Sequence, residues 1–379
     1  MKNDVRNQFL LEPDVTFLNH GSFGACPKPV FEDYQHWQKK LEQQPVLFST
    51  ETVYEQLRQS RTALGDFVGC HEQDLVFFQN PTTAVSNIIF SLELKPGDEI
   101  LMSNHEYGAL VRAWSKWGRR QQVKIVQQEV KLPVTTRENF TDNFWAGVTQ
   151  RTKVIFLSQI TSATALEFPV QSLCELAREK GILTIIDGAH VPGQMDLNLN
   201  ELDCDFYTGA CHKWLCAPKG TSFLYVKKEH QPWVRPLIYS WGKDGDDPGP
   251  SEFLQDFQWQ GTRDMAAFLT LPKVIQFFQE HIEGKRLSCK KLIRKTSAEL
   301  ARLFNTPPIY SSADWIHQMV SHPLPVNAPE DIKERLWSEY KIEIPVFQWC
   351  GQRYIRVSCN VYNTDQQVEY FLNALRSLI

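Results

Sequence analysis

The chain has 379 residues, of which 42% are hydrophobic and 22% charged, with a formal net charge of −4. That length accommodates two domains and a sizeable core, and the composition is ordinary for a globular enzyme. The slight acidity gives no reason to expect nucleic acid or an anionic membrane as a partner, and no apolar run approaches the ~18 residues of a spanning helix. The opening segment, Met1 to Glu12, is polar and lacks the apolar core of a signal peptide. Nine cysteines, an odd number without a Cys-x-x-Cys pair, fit a reducing cytoplasm better than a disulfide framework. No His/Cys cluster has zinc-ligand spacing, so no metal is expected.

Residues 1–20 read as an N-terminal segment outside either domain. Residues 99–102 form a first apolar strand, and residues 154–157 a second. Pro169 then opens an amphipathic helix over 170–180, which Gly181 stops. Strands follow at 182–186, near Phe206-Tyr207 and at 223–226. Apolar strands alternating with helices predict an α/β domain with a mostly parallel sheet covered on both faces, over 21–264. Residues 241–261, rich in Gly, Pro and Asp, predict a long loop. Helices at 273–283 and 287–303, strands near Val320, at 343–346 and at 354–357, and a last helix at 365–378 predict a smaller α+β domain over 265–379.

Two residues carry most of the chemistry. Asp187 closes the apolar run from Ile182, and Lys213 follows the run from Asp205. Either alone has a plain reading: an Asp-Gly turn, or a lysine reaching for solvent. Together they suit pyridoxal 5'-phosphate. The amine forms an imine with the cofactor aldehyde, while the carboxylate keeps the pyridine nitrogen protonated, so that the ring accepts electrons from a substrate carbanion. Asn80-Pro81-Thr82-Thr83-Ala84 before a helical pattern reads as a helix N-terminus, where Thr82 and Thr83 either cap the helix or cradle the phosphate. His212 is a candidate second phosphate contact. His190 is placed to meet the phenolic oxygen or face of the ring. Segment 103–109 offers His105 and Tyr107 as a stacking ring, and Tyr107 is the choice. Arg356 alternates with apolar residues on a short strand, where it serves either a structural ion pair or a substrate carboxylate.

With these residues in hand, the chain resembles the fold type I pyridoxal-phosphate enzymes of the class V aminotransferase group, and within it the isopenicillin N epimerase-like branch. The resemblance rests on Asn19-His20-Gly21-Ser22-Phe23-Gly24, Asn80-Pro81-Thr82-Thr83-Ala84, His105-Glu106-Tyr107-Gly108, Asp187-Gly188-Ala189-His190, Cys211-His212-Lys213 and Ile355-Arg356-Val357-Ser358. It implies a homodimer with active sites at the subunit interface, and Thr262, within Gly261-Thr262-Arg263, reaching the neighbouring subunit's phosphate. It also implies that Asn19 and His20 line the substrate side and that Arg356 binds the substrate α-carboxylate. Related cysteine desulfurases carry asparagine where Ser162 stands, supporting the cofactor oxygen, and serine where Ala210 stands. Their nucleophilic cysteine has only Cys350 as a counterpart, six residues before Arg356. The expected function is chemistry at the α-carbon of an amino acid, with Lys213 as base and Tyr107 or a water as a second acid. Epimerisation leads, with C–S lysis of cystine or cysteine conjugates and transamination as alternatives. Desulfuration and a non-catalytic binding role rank lower.

Overall fold

Alternate residues of the central strands go to opposite faces, each facing its own apolar layer. Ile100, Met102, Val154, Phe156, Ile185 and Phe206 pack with Ile88 and Trp114 on one side. Leu101, Ile155, Leu157, Ile186 and Tyr207 pack with Phe168 and Leu173 on the other. Each such side chain stabilises the fold by roughly 1.5–3 kcal/mol. A strand apolar on both faces belongs in the middle of a covered parallel sheet.

The structure, a computed structural model, describes residues 5–242 and 249–379. Its strands in chain order are β1 (Thr16–Phe17), β2 (Leu75–Phe78), β3 (Glu99–Ser103), β4 (Lys124–Gln128), β5 (Thr152–Ser158), β6 (Leu183–Asp187), β7 (Phe206–Ala210), β8 (Ser222–Val226), β9 (Met319–Pro323), β10 (Ile342–Glu343), β11 (Val346–Trp349) and β12 (Gln352–Ser358). The central sheet runs β2-β8-β7-β6-β5-β3-β4. Its strands are parallel except β8, which lies antiparallel to both β2 and β7. The fold class is therefore the expected α/β, with a smaller three-stranded antiparallel sheet, β11-β12-β9, from the last third of the chain.

The helix read at 170–180 is Val170–Glu179, and the left-handed Gly181 (φ +64°) follows its C-cap. The last helix, Asp365–Leu378, opens with a capping box between Thr364 and Gln367. Within the loop expected at 241–261, residues 243–248 lie outside the described residues, and Glu252–Gln258 is a helix capped by Ser251. Its buried Phe253, Leu254 and Phe257 supply a tertiary anchor that the turn-rich flanks conceal. Two long helices, Lys28–Gln43 and Val53–Val68, were not expected; the helices Ala266–Leu269 and Leu271–His281 pack on them.

The N-terminal segment is tied to the last third of the chain. β1 pairs in parallel with β10, and Asn19 bridges to Ser358 at the end of β12. A one-turn helix, His20–Phe23, follows, and Gly24 ends it at φ +70°. A Cβ there would run into the carbonyl oxygens of His212 and Lys213, so this position requires glycine on two counts.

Candidate active site

The carboxyl ends of the parallel strands open on a cleft of about 610 Å³. Ligands in open α/β sheets bind at this end. Lining it are Thr82, Thr83, Tyr107, Ser162, Asp187, His190, His212, Lys213 and Arg356, nine of the expected site residues, drawn from six separate stretches of chain.

Lys213 is half-buried in the cleft wall, and its Nζ lies 3.2 Å from His190 Nε2. The other ring nitrogen of His190, Nδ1, is 3.2 Å from Trp214 Nε1. An indole N–H only donates, so Nδ1 accepts and the ring proton sits on Nε2. Nε2–H can then donate only to an amine with a free lone pair. The geometry describes a neutral Lys213, a nucleophile rather than an ammonium. Electrostatics push in the same direction without completing it: burial lowers the Lys213 pKa to about 8, against the opposing pull of Asp187 and with help from Arg356. Burial also holds His190 well below its usual range. Asp187 is buried as well, which raises its pKa, while the Ala189 N–H at 2.9 Å and Lys213 act in the opposite sense.

The helix Pro81–Ser91 points its N-terminus at the cleft, with Asn80 as N-cap. Asn80 Oδ1 takes both the N–H (2.9 Å) and the hydroxyl (3.1 Å) of Thr83. That leaves the Thr82 N–H and hydroxyl as the donors at the helix end, a narrower cradle than two threonines. His212 Nδ1 donates to the Thr221 carbonyl at 2.9 Å, and burial lowers its pKa to about 4. As a neutral ring it offers Nε2 as an acceptor, so contact with a phosphate needs this ring protonated by the anion's approach.

Arg356 enters from β12, almost wholly buried. Nη1 donates to the Ser162 carbonyl (2.6 Å) and hydroxyl (3.3 Å), and Nη2 to the Ser22 hydroxyl (3.0 Å). Nε is buried without a partner. A guanidinium with an unmet N–H, facing a cleft, is prepared for an acceptor such as a carboxylate. Burial lowers its pKa to about 10, and Tyr107 acts on it electrostatically in the opposite sense. Tyr107 is 47% exposed at the cleft, whereas His105 turns into the core between Thr164 and the Val130 carbonyl.

Three expected residues stand elsewhere. His20 lies beneath the cleft floor, bonded to the Tyr362 hydroxyl (2.6 Å) and the Lys213 carbonyl (3.0 Å). Asn19 accepts from Ser22 Oγ at 2.5 Å, one step behind Arg356. Thr262 is exposed and outside its own chain's cleft. Cys350 and Gly351 are the left-handed tip of the tight β11–β12 turn, which holds the thiol on the surface outside the cleft lining. Ser22, Trp214 and Ser158 were missed, although Ser22 lay inside a quoted motif and Trp214 adjoins Lys213. Their roles depend on hydrogen bonds across 24 to 334 residues, which no local pattern carries.

The sequence matches the family Aminotransferase class-V over residues 24–371. The chain belongs to that family, a group of pyridoxal-phosphate enzymes. It is 32% identical to the isopenicillin N epimerase of Amycolatopsis lactamdurans, over 99% of this chain and 98% of that protein. It is 25% identical to a probable chloroplastic L-cysteine desulfhydrase of Arabidopsis thaliana, over 97% and 84% of the two chains. In fold it superimposes on a cysteine desulfurase of Thermococcus onnurineus with a TM-score of 0.83 at 22% identity, covering 100% and 98% of the chains. The cystine C-S lyase C-DES gives 0.83 at 20% identity, covering 97% and 98%.

The residues present fit the family's cofactor. An amine of lowered pKa, a buried carboxylate, an open helix end and an orphaned guanidinium N–H share one cleft.

Proposed function

We propose that this enzyme abstracts the α-proton of an amino acid with Lys213 and returns a proton to the other face of the same carbon from Tyr107, an epimerisation. Bound pyridoxal 5'-phosphate supplies the electron sink for the pair left on the α-carbon. Thr82 and the helix end would hold its phosphate, Tyr107 would stack on its ring, and Asp187 would hold a proton at its pyridine nitrogen. Lys213, deprotonated beside His190, acts as general base. Arg356, backed by Ser22 and Ser162, fixes the substrate carboxylate and so aims the α-hydrogen. His190 keeps the amine oriented.

The observation that carries the reading is the Lys213–His190–Trp214 chain, because a neutral His190 with its proton on Nε2 favours the unprotonated amine when Lys213 is free to act as base. The 32% identity to an epimerase over nearly the whole chain supports the epimerase branch. The test is solvent-deuterium uptake at Cα and change of configuration across a panel of amino acids. Tyr107→Phe should retain exchange with one face and lose inversion. A wild-type enzyme that exchanges no α-hydrogen with any of them would sink the reading.

The similarity to L-cysteine desulfhydrases favours a second reading, C–S lysis, in which the same proton abstraction expels a β-sulfur group. Pyruvate and sulfide from cysteine or cystine would select it. We also infer a homodimer that completes each site with the partner's Thr262, supported by the exposure of Thr262 outside its own cleft. Sedimentation of the purified enzyme tests it. All nine cysteines are unpaired, which supports a cytoplasmic location; localisation of a tagged chain in cells checks this.

A further inference from the structure

A second buried carboxyl lies behind the cleft, and no step above uses it. Glu106 is 7% exposed and is absent from the cleft lining, yet its neighbours Tyr107, Ser158 and Asp187 all belong to that lining. Its Oε1 accepts the Ser103 hydroxyl at 2.5 Å, from the end of β3. Its Oε2 accepts both the N–H (2.8 Å) and the hydroxyl (2.6 Å) of Ser158, from the end of β5. Ser158 stands in register with Asp187 on β6. The carboxyl thus ties the turn that carries Tyr107 to the strand beside Asp187.

Three donors converging on two oxygens suit an ionised carboxylate; a glutamine would turn its own N–H₂ toward one of them. Yet the position is costly for a charge. Burial is the main cause that raises the Glu106 pKa to about 7, and Asp187 raises it further. The titratable groups around it are Asp187 from β6, which faces Lys213, and its chain neighbours His105 and Tyr107; its partners on β3 and β5 are neutral serines. A surface ion pair would explain an acid that binds donors. It does not explain one buried behind another acid.

We propose that Glu106 is a positioning residue for the cofactor site: it fixes the Tyr107 turn against β5 and adds a second negative charge behind Asp187, so that cationic groups bound in front of Asp187 keep their protons to higher pH. The inference rests on the pyridoxal-phosphate reading of the cleft. A cation held before Asp187 draws the Glu106 proton off, and the ionised pair then holds that cation more firmly. The serine hydroxyls already point their hydrogens at Glu106, so ionisation needs no rearrangement.

The test compares wild type, Glu106→Gln and Glu106→Asp, each loaded with pyridoxal 5'-phosphate, by the pH midpoint of the absorbance band above 400 nm. Glu106→Gln should shift the midpoint down by about one unit, the size expected of a unit charge several ångströms away in a protein interior. Glu106→Asp should return it most of the way. Equal midpoints in wild type and Glu106→Gln overturn the proposal, as do equal shifts in Gln and Asp, which would mark a packing role alone. If Glu106→Gln fails to fold, Ser158→Ala replaces it: it removes the hydroxyl donor but keeps the backbone N–H bond and the charge, so its midpoint should stay near that of wild type. A shift in Ser158→Ala as large as that predicted for Glu106→Gln overturns the proposal. A wild type with no band would instead defeat the cofactor reading itself, so the two failures are distinct.

Discussion

The two ends of the parallel sheet treat carboxylates in opposite ways. At the amino end, Glu99 on β3 accepts from the Thr149 hydroxyl (2.6 Å) and pairs with Lys124 (3.1 Å) and Arg151 (3.3 Å), and its pKa is lowered, first by Thr149. Asp205, just before β7, accepts from the N–H and hydroxyl of Thr184 and lies 2.6 Å from His230. Burial alone would raise it, but those bonds outweigh burial and lower its pKa. At the carboxyl end, Asp187 and Glu106 are both raised by burial. One sheet therefore carries acids that favour folding when charged at one end, and acids whose charge opposes folding at the other. Stability is concentrated where nothing reacts, and the strained ionisation sits where a ligand can relieve it. Glu229 joins Asp205 and His230 within 4.8 Å, a grouping that could accept a cation, but Asp205 and His230 are already bonded to each other.

The sharpest way to break this contrast is Lys213→Ala. It should abolish the band above 400 nm and lower turnover by on the order of 10³-fold, measured by α-hydrogen exchange. Next comes the pH dependence of the cofactor-free chain. For Glu106 the folded pKa, about 7, exceeds the unfolded 4.5, so the folded state binds more protons between them. Stability from this group is then full below pH 4.5 and falls as pH rises to 7, by about 3 kcal/mol. Glu106→Gln should flatten that fall in urea titrations. Glu99 and Asp205 have the opposite sign: their contribution is present above the unfolded pKa and is lost as pH falls through the lowered folded value. Arg356→Leu should raise KM for amino acids roughly 10- to 100-fold, the loss of charge-assisted bonds. The cofactor-free chain should lose little stability, since a buried cation goes with it. The smallest effect is expected from Asp205→Asn: about 1 kcal/mol less stability, with the spectrum and kinetics unchanged.

Much of the central sheet was legible because its strands are apolar on both faces and its helices have clear ends. Residues 154–157, 182–186 and 365–378 fall on β5, β6 and the last helix. The helices Lys28–Gln43 and Val53–Val68 were not, and the first is polar on average and buries only Val30 among its sixteen residues. In the site, Asp187 and Lys213 were legible because each ends an apolar run, and Arg356 because it breaks one. The placement of His20 was not: a histidine beside a small-residue turn reads as a cleft residue, yet here it caps the Lys213 carbonyl from below. Thr83 likewise reads as a phosphate donor until the Asn80 cap is seen to hold both its hydrogens. Sequence pattern located the groups; their hydrogen-bond partners, distant in the chain, assign their availability.

The pairing of β1 with β10, and of Asn19 with Ser358, bears on how the molecule is made. The ribosome delivers Thr16 first, but its partner Ile342 only after more than three hundred further residues. The central sheet can assemble while the tail is still in the tunnel, since chains fold as they emerge. The one-turn helix that bears Ser22 can rest on the Lys213 carbonyl through His20, but Ser22 meets Arg356 only when β12 arrives. The Arg356 corner of the cleft is thus the last part of the site to form, so a chain cut short in synthesis has its lysine but not the guanidinium proposed to hold the substrate.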